Sequence, residues 1–197
     1  MANPVTNCLE ILSVSSNKLK KIFALPVGLS PVAVAIASDN EVWVVNQNSD
    51  SISIVDVEGI PFIKRTLQVG DEPRDIVFAG KNKERAFITT AHRGQHHPKF
   101  KIEDIRNPKI GRADVWVYDK NNLGFGLTGN PVEILNLFSD TPRALAVSKD
   151  GLKVYAASYL SGNQTTTIFA ADVDVEKVGP NTSIDGFEAP KTGLVVK

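Results

Sequence analysis

Apolar and polar residues alternate along most of this chain. In Ser51-Ile52-Ser53-Ile54-Val55-Asp56 and again in Asp114-Val115-Trp116-Val117-Tyr118-Asp119, hydrophobic side chains recur at every second position. Two is the period of a β-strand. Short segments rich in Gly, Asn, Asp and Ser separate these runs and supply the positive-φ and side-chain-capped turns that short strands need. The pattern predicts an all-β fold.

The strands recur as a group. One unit opens on Val27-Gly28-Leu29-Ser30-Pro31, continues through Glu41-Val42-Trp43-Val44-Val45-Asn46, and closes at Asp56. The next opens on Val69-Gly70-Asp71-Glu72-Pro73, passes Arg85-Ala86-Phe87-Ile88-Thr89, and closes at Asp119. A third opens on Asp140-Thr141-Pro142, runs through Lys153-Val154-Tyr155-Ala156-Ala157, and closes at Asp172. Four strands per unit at a spacing of about forty residues match the blade of a β-propeller. The proline-led strands 31–37, 73–79 and 142–148 are predicted to be innermost, where alanine at 33, 35, 144 and 146 eases crowding near the axis. Residues 2–14 align with 45–57, so the leading unit shows only its last two strands. The expected fold is all-β: a partial β-propeller domain of about three to four blades, each of four antiparallel strands, cut from a larger ring. Its parts are a half blade over 1–26, blades over 27–68, 69–137 and 138–175, and a loop with the start of a strand over 176–197.

Composition narrows the function classes. Lys plus Arg equals Asp plus Glu at 22 each, so no global charge draws nucleic acid. No apolar run approaches the ~18 residues of a membrane span, and Met1-Ala2-Asn3-Pro4 lacks the regions of a signal peptide. Cys8 is the only cysteine, which excludes an internal disulfide and the Cys-x-x-Cys-His motif that holds a c-type haem. Neither a Gly-x-Ser-x-Gly elbow nor a phosphate-cradling Gly-x-x-x-x-Gly-Lys occurs.

One unit departs from the others by an insertion, 92–112, between its second and third strands. It holds all three histidines, His92, His96 and His97. Clustered imidazoles invite a metal reading. Gly94 and Pro98 argue for a loop, however, and no carboxylate close in sequence offers an obvious third ligand. The expectation is a polar surface loop, with a metal centre only if the rings converge. In propellers the turn before the innermost strand and the turn between the second and third strands share one face. That places Asn46, Asp50, His92, Arg93, Tyr159, Arg74 and Arg143 on one rim as candidate binding residues. The arginines suit a carboxylate, a phosphate or a haem propionate, although Asp71, Asp75 and Asp140 lie ready to pair with them first. Asp56, Asp119 and Asp172 are read as turn caps, and Trp43, Phe87 and Tyr155, which share a repeat position, as packing between blades.

The combination of Val-Gly-x-x-Pro, an apolar strand, Asp-Asn or Asp-Gly, an aromatic-containing strand and a closing Asp resembles the YVTN family of β-propeller repeats. It appears here as Val44-Val45-Asn46 and Tyr155-Ala156-Ala157-Ser158, and the resemblance runs to about Val175. Residues 72–80 and Ala91-His92-Arg93-Gly94-Gln95 resemble a bacterial subset that often couples such a propeller to c-type haem domains. The resemblance implies a WD-like repeat protein, exported or periplasmic, that meets a protein partner, its remaining blades or a second copy through open blade faces. The function expected from these readings is a non-catalytic scaffold offering a docking surface, not itself an enzyme and with no cofactor in this chain. The alternative is an enzyme or electron-transfer subunit whose channel-mouth residues position a substrate or a neighbouring haem.

Overall fold

The alternating runs become strands in a computed structural model of the chain, which describes residues 1–15, 18–107 and 109–161. Every described residue belongs to one unit, Met1–Thr165. The predicted parts of the chain beyond 161, including Asp172 and the loop and strand over 176–197, lie outside the described residues.

Among the described residues four separate antiparallel sheets follow one another along the chain. The first contains β1 (Ala2–Asn3), β2 (Cys8–Ser15) and β3 (Lys18–Pro26). The second is a four-stranded meander of β4 (Pro31–Ser38), β5 (Glu41–Asn46), β6 (Ser51–Asp56) and β7 (Phe62–Gln68). The third repeats that order with β8 (Ile76–Ala79), β9 (Arg85–Ala91), β10 (Ala113–Asp119) and β11 (Glu133–Leu137). The fourth pairs β12 (Ser139–Val147) with β13 (Val154–Ser161). The 3-10 segments Gln47–Ser49 and Ile102–Arg106 interrupt the strands. Among the described residues no helix is long and apolar enough to cross a membrane.

The central strands of the second sheet, β5 and β6, are buried on both faces, which is why β5 reads as an almost unbroken apolar run. Trp43, Val45, Ile52 and Ile54 turn one way and pack with Ile76, Phe78, Ile88 and Trp116 of the third sheet. Val44 and Val55 turn the other way and pack with Leu9 of the first. Trp43 meets Phe78 edge-on, with centroids 5.3 Å apart, and its indole N–H donates to Glu41 Oε1 at 2.9 Å. Polar ties reinforce the stacking. Lys120 Nζ donates to Ala37 O at 2.6 Å, and Asp75 Oδ2 accepts the Leu145 N–H at 2.7 Å, joining the third sheet to the fourth. Strands β4 and β12 lie beside β8 around a shared cavity of ≈500 Å³, lined by Ala35, Ile76, Phe78 and Leu145 among others.

The repeated positions behave according to which neighbour they meet. Trp43 is core, and Phe87 lines an apolar cavity of ≈590 Å³ facing the fourth sheet. Tyr155, expected as packing, is 57% exposed, because Val154 and Ala156 face that cavity and the residue between them points to the opposite side. Asp56 and Asp119 cap their turns, each accepting through Oδ1 from the backbone N–H two residues on, of Glu58 and Asn121. Since Trp43 is fully buried between two sheets, Trp43→Ala should cost about 3–5 kcal/mol. Denaturant titration should show this as a lower midpoint at unchanged m-value.

Candidate metal centre

The insertion 92–112 leaves the end of β9 and returns at the start of β10 without disturbing their pairing. Ala91 faces Ala113 and Thr90 faces Asp114 in register, and the His92 N–H closes the neck by donating to Arg112 O at 2.9 Å. Directly opposed residues of an antiparallel pair share a face. Asp114 therefore stands beside Thr90, and Trp116 and His92 flank them two positions along.

The insertion then folds back over this face. His97 N–H donates to Gly94 O at 3.2 Å. Gly94 has φ +96°, and a Cβ there would sit 2.5 Å from the Phe100 ring, so a side chain would be both strained and clashing. The tight turn lays His97 edge-on against Trp116 at 5.7 Å and against His92 at 5.2 Å, with Phe100 5.3 Å from His92.

Three ligand-type side chains meet as a result. His92 Nδ1 lies 2.7 Å from Asp114 Oδ2, and His97 Nε2 lies 3.9 Å from the same oxygen. One donor atom from each falls within 4.8 Å of the others. The side chains of His92, His97 and Asp114 are only 6%, 12% and 1% exposed. A carboxylate so deeply placed needs partners; its second oxygen, Oδ1, accepts from Asn136 Nδ2 at 2.9 Å. His92 Nε2 is buried and has no hydrogen-bond partner. Lys99 N–H donates to His97 Nδ1 at 3.1 Å. Burial is the main influence holding the His97 pKa below its ordinary value; the Asp114 carboxylate opposes the shift and the His92 charge adds to it. The neutral imidazole is the form that binds a metal. Two imidazoles and one carboxylate suit zinc or another borderline divalent ion, and three protein ligands leave a position free for water or substrate.

This cluster overturns three expectations. A docking scaffold presents its chemistry to solvent, whereas these donors are enclosed and aimed at one another, which argues against a purely non-catalytic role. The same convergence counts against reading the segment as no enzyme and against a chain without a cofactor. Of the three histidines grouped in the sequence, His96 does not join; its backbone is left-handed at φ 54° and its Nδ1 meets Val69 O at 2.9 Å. The third ligand is Asp114, which sequence reasoning took only as the first residue of a closing strand. Its signal was positional: it occupies the place of Ser51 in the preceding unit, opposite the strand residue that precedes the insertion by two.

The remaining rim candidates fall into separate sets. Arg74 and Arg93 both pair with Glu72, at 3.1 and 3.2 Å, and Arg93 also reaches Asp71 at 3.6 Å. With its amide turned so that Oε1 faces the guanidinium, Gln47 accepts from both terminal nitrogens of Arg74 at 3.2 Å. Asp50 Oδ1 accepts the Glu72 N–H at 2.9 Å. Burial, with the Asp50 charge next, raises the Asp71 pKa, partly offset by Arg93. Asn46 turns inward and donates to Ser51 and Ser53 Oγ at 3.2 and 2.9 Å. Arg143 stands apart, its guanidinium over the Tyr159 ring at 5.3 Å.

No protein-family model and no curated protein matches this chain. Among solved structures it is similar to a protein of unknown function from Desulfotomaculum acetoxidans, at 19% identity and TM-score 0.48, over 76% of this chain and 41% of that one. It is also similar to Kuenenia stuttgartiensis hydrazine synthase, at 18% and 0.42, over 82% and 53%. A protein from Lactobacillus plantarum aligns at 15% and 0.32, over 74% and 53%. The chain thus spans about half or less of the length of each, and likenesses of this strength assign no activity to it.

The depressed His97 pKa has a consequence for stability. Between that pKa and the unfolded value of 6.5, the unfolded chain binds more protons than the native one, so this histidine's effect on stability is most favourable above pH 6.5 and worsens as pH falls. Metal-free wild-type protein should lose stability on acidification below pH 6.5 more steeply than His97→Gln, as read from denaturant midpoints across pH.

Proposed function

We propose that this chain carries a catalytic-type metal centre, in which His92, His97 and Asp114 hold a divalent borderline ion such as zinc. The observation that carries this reading is the convergence of two imidazoles and one carboxylate, shielded from water, on one face of the β9–β10 pair. Three protein ligands with an open position are the arrangement in which a metal lowers the pKa of bound water or polarises a substrate oxygen. Asp114 is set by strand pairing and His92 by the backbone bond to Arg112 O that closes the neck directly beyond β9, so two of the donors need little ordering on binding. His97 supplies the third. Ligation through its Nε2 places the ring proton on Nδ1 and gives up the Lys99 N–H bond, a cost of about 0.5–1.5 kcal/mol.

The surrounding architecture we read as a partial β-propeller of YVTN-like repeats. The recurring Gly-x-x-Pro strands and the cavity shared by β4, β8 and β12 support that reading. In it the metal centre sits on the rim, and further blades come from a longer exported protein or from a second copy.

The test is zinc binding by isothermal titration with wild type, His92→Ala, His97→Ala and Asp114→Asn. The wild type should bind one equivalent, and each variant should bind on the order of 100-fold more weakly, the upper end of what even outer partners of a metal site contribute. Absence of stoichiometric binding by wild type, or affinity unchanged in all three variants, rejects the centre.

A further inference from the structure

Thr90, Asp114 and Asn136 stand directly opposite one another on three adjacent strands, β9, β10 and β11. Asn136 is the outermost of the three and is exposed to solvent, yet its amide is fully engaged. Its Nδ2 donates to Asp114 Oδ1 at 2.9 Å, to Gly111 O at 3.0 Å and to Ala113 O at 3.2 Å, and its Oδ1 accepts the Gly111 N–H at 2.8 Å. One side chain thereby grips both the returning end of the insertion and the buried carboxylate. Gly111 permits the approach, because a Cβ there would lie 1.8 Å from Leu137 O.

The consequence for Asp114 is geometric. Its two oxygens are divided: Oδ1 is taken by the Asn136 amide, and Oδ2 alone faces His92 and His97. A carboxylate in which one oxygen is held by an amide N–H donor offers the other as a single, oriented ligand atom. We propose that Asn136 is a positioning residue of the metal centre, fixing Asp114 as a one-oxygen ligand. This inference rests on the metal reading of the cluster.

The exposure of Asn136 makes the test clean, since Asn136→Ala leaves no cavity in the core. Zinc affinity is measured by competition with a chromophoric chelator for wild type and Asn136→Ala, alongside the melting temperature of both metal-free proteins. The expected result is a 10–100-fold loss of zinc affinity in the variant. A variant whose metal-free melting temperature falls while its zinc affinity stays within twofold of wild type would have lost only a loop tether, and that outcome overturns the proposal. X-ray absorption on zinc-loaded wild-type protein provides a reading that needs no variant to fold. A carboxylate bound through one oxygen is expected, and a two-oxygen carboxylate overturns the proposal. Should wild type take up no zinc at all, the metal centre itself falls and this inference with it; wild-type binding combined with an unaffected variant removes the Asn136 role alone.

Discussion

The site depends on one constraint: the Asp114 carboxylate has almost no contact with water. An ionised carboxylate in such a place is sustained only by opposite charge, hydrogen bonds or a metal. His92 comes from the neck directly beyond β9, Asn136 from β11 and His97 from farther along the insertion, so the surroundings of a single charge are assembled from three separate parts of the chain. The Asn136 amide and the nearer imidazole account for the two oxygens of Asp114. They leave His97 at 3.9 Å, beyond hydrogen-bond reach but within the span that one ion bridges.

The fold supports this arrangement by making the floor of the site part of the core. Trp116 touches His97 on the site side and belongs to the same buried cluster as Trp43, Ile88 and Tyr118. Its indole cannot move without disturbing the packing between the second and third sheets. Thr90 and Asp114 are fixed by the register of two central strands. Floor and cover are built from different elements: paired strands for the first and an excursion turning on Gly94 and returning at Gly111 for the second.

The strands were legible in the sequence because the period-two alternation and the Gly-x-x-Pro turns are local signals, and Asp56 and Asp119 cap turns as their repetition implied. The four antiparallel sheets follow from that pattern. The site was only half legible. His92 and His97 stood out by residue type, but their convergence depends on how the insertion folds back, and no local period encodes that. Asp114 was hidden for a different reason: a strand residue is read by its alternation, and a carboxylate at an inward position looks like an ordinary polar strand end until the opposite strand is known. The expected partners of the rim arginines were misjudged in detail for a similar reason. Arg74 pairs with Glu72, whereas Asp75 spends its carboxylate on the backbone N–H groups of Ile76 and Leu145.

The pairing of Arg74 and Arg93 on Glu72 also bears on how the insertion is held. Arg93 follows His92 directly in the chain, and its ion pairs reach back to the turn before β8. His96, one residue before a metal ligand, is tied to Val69 in that same turn. The segment carrying His92 and His97 is thus moored to the 69–72 turn by side chains that are themselves partly exposed. Exposed ion pairs contribute little to global stability, but here they add to the Asn136–Gly111 bonds and the His97–Trp116 contact that hold the excursion against the strands. The three donors are thereby held in different ways: Asp114 by strand pairing, His92 by the neck bond to Arg112 O, and His97 by the Gly94 turn and its contact with Trp116.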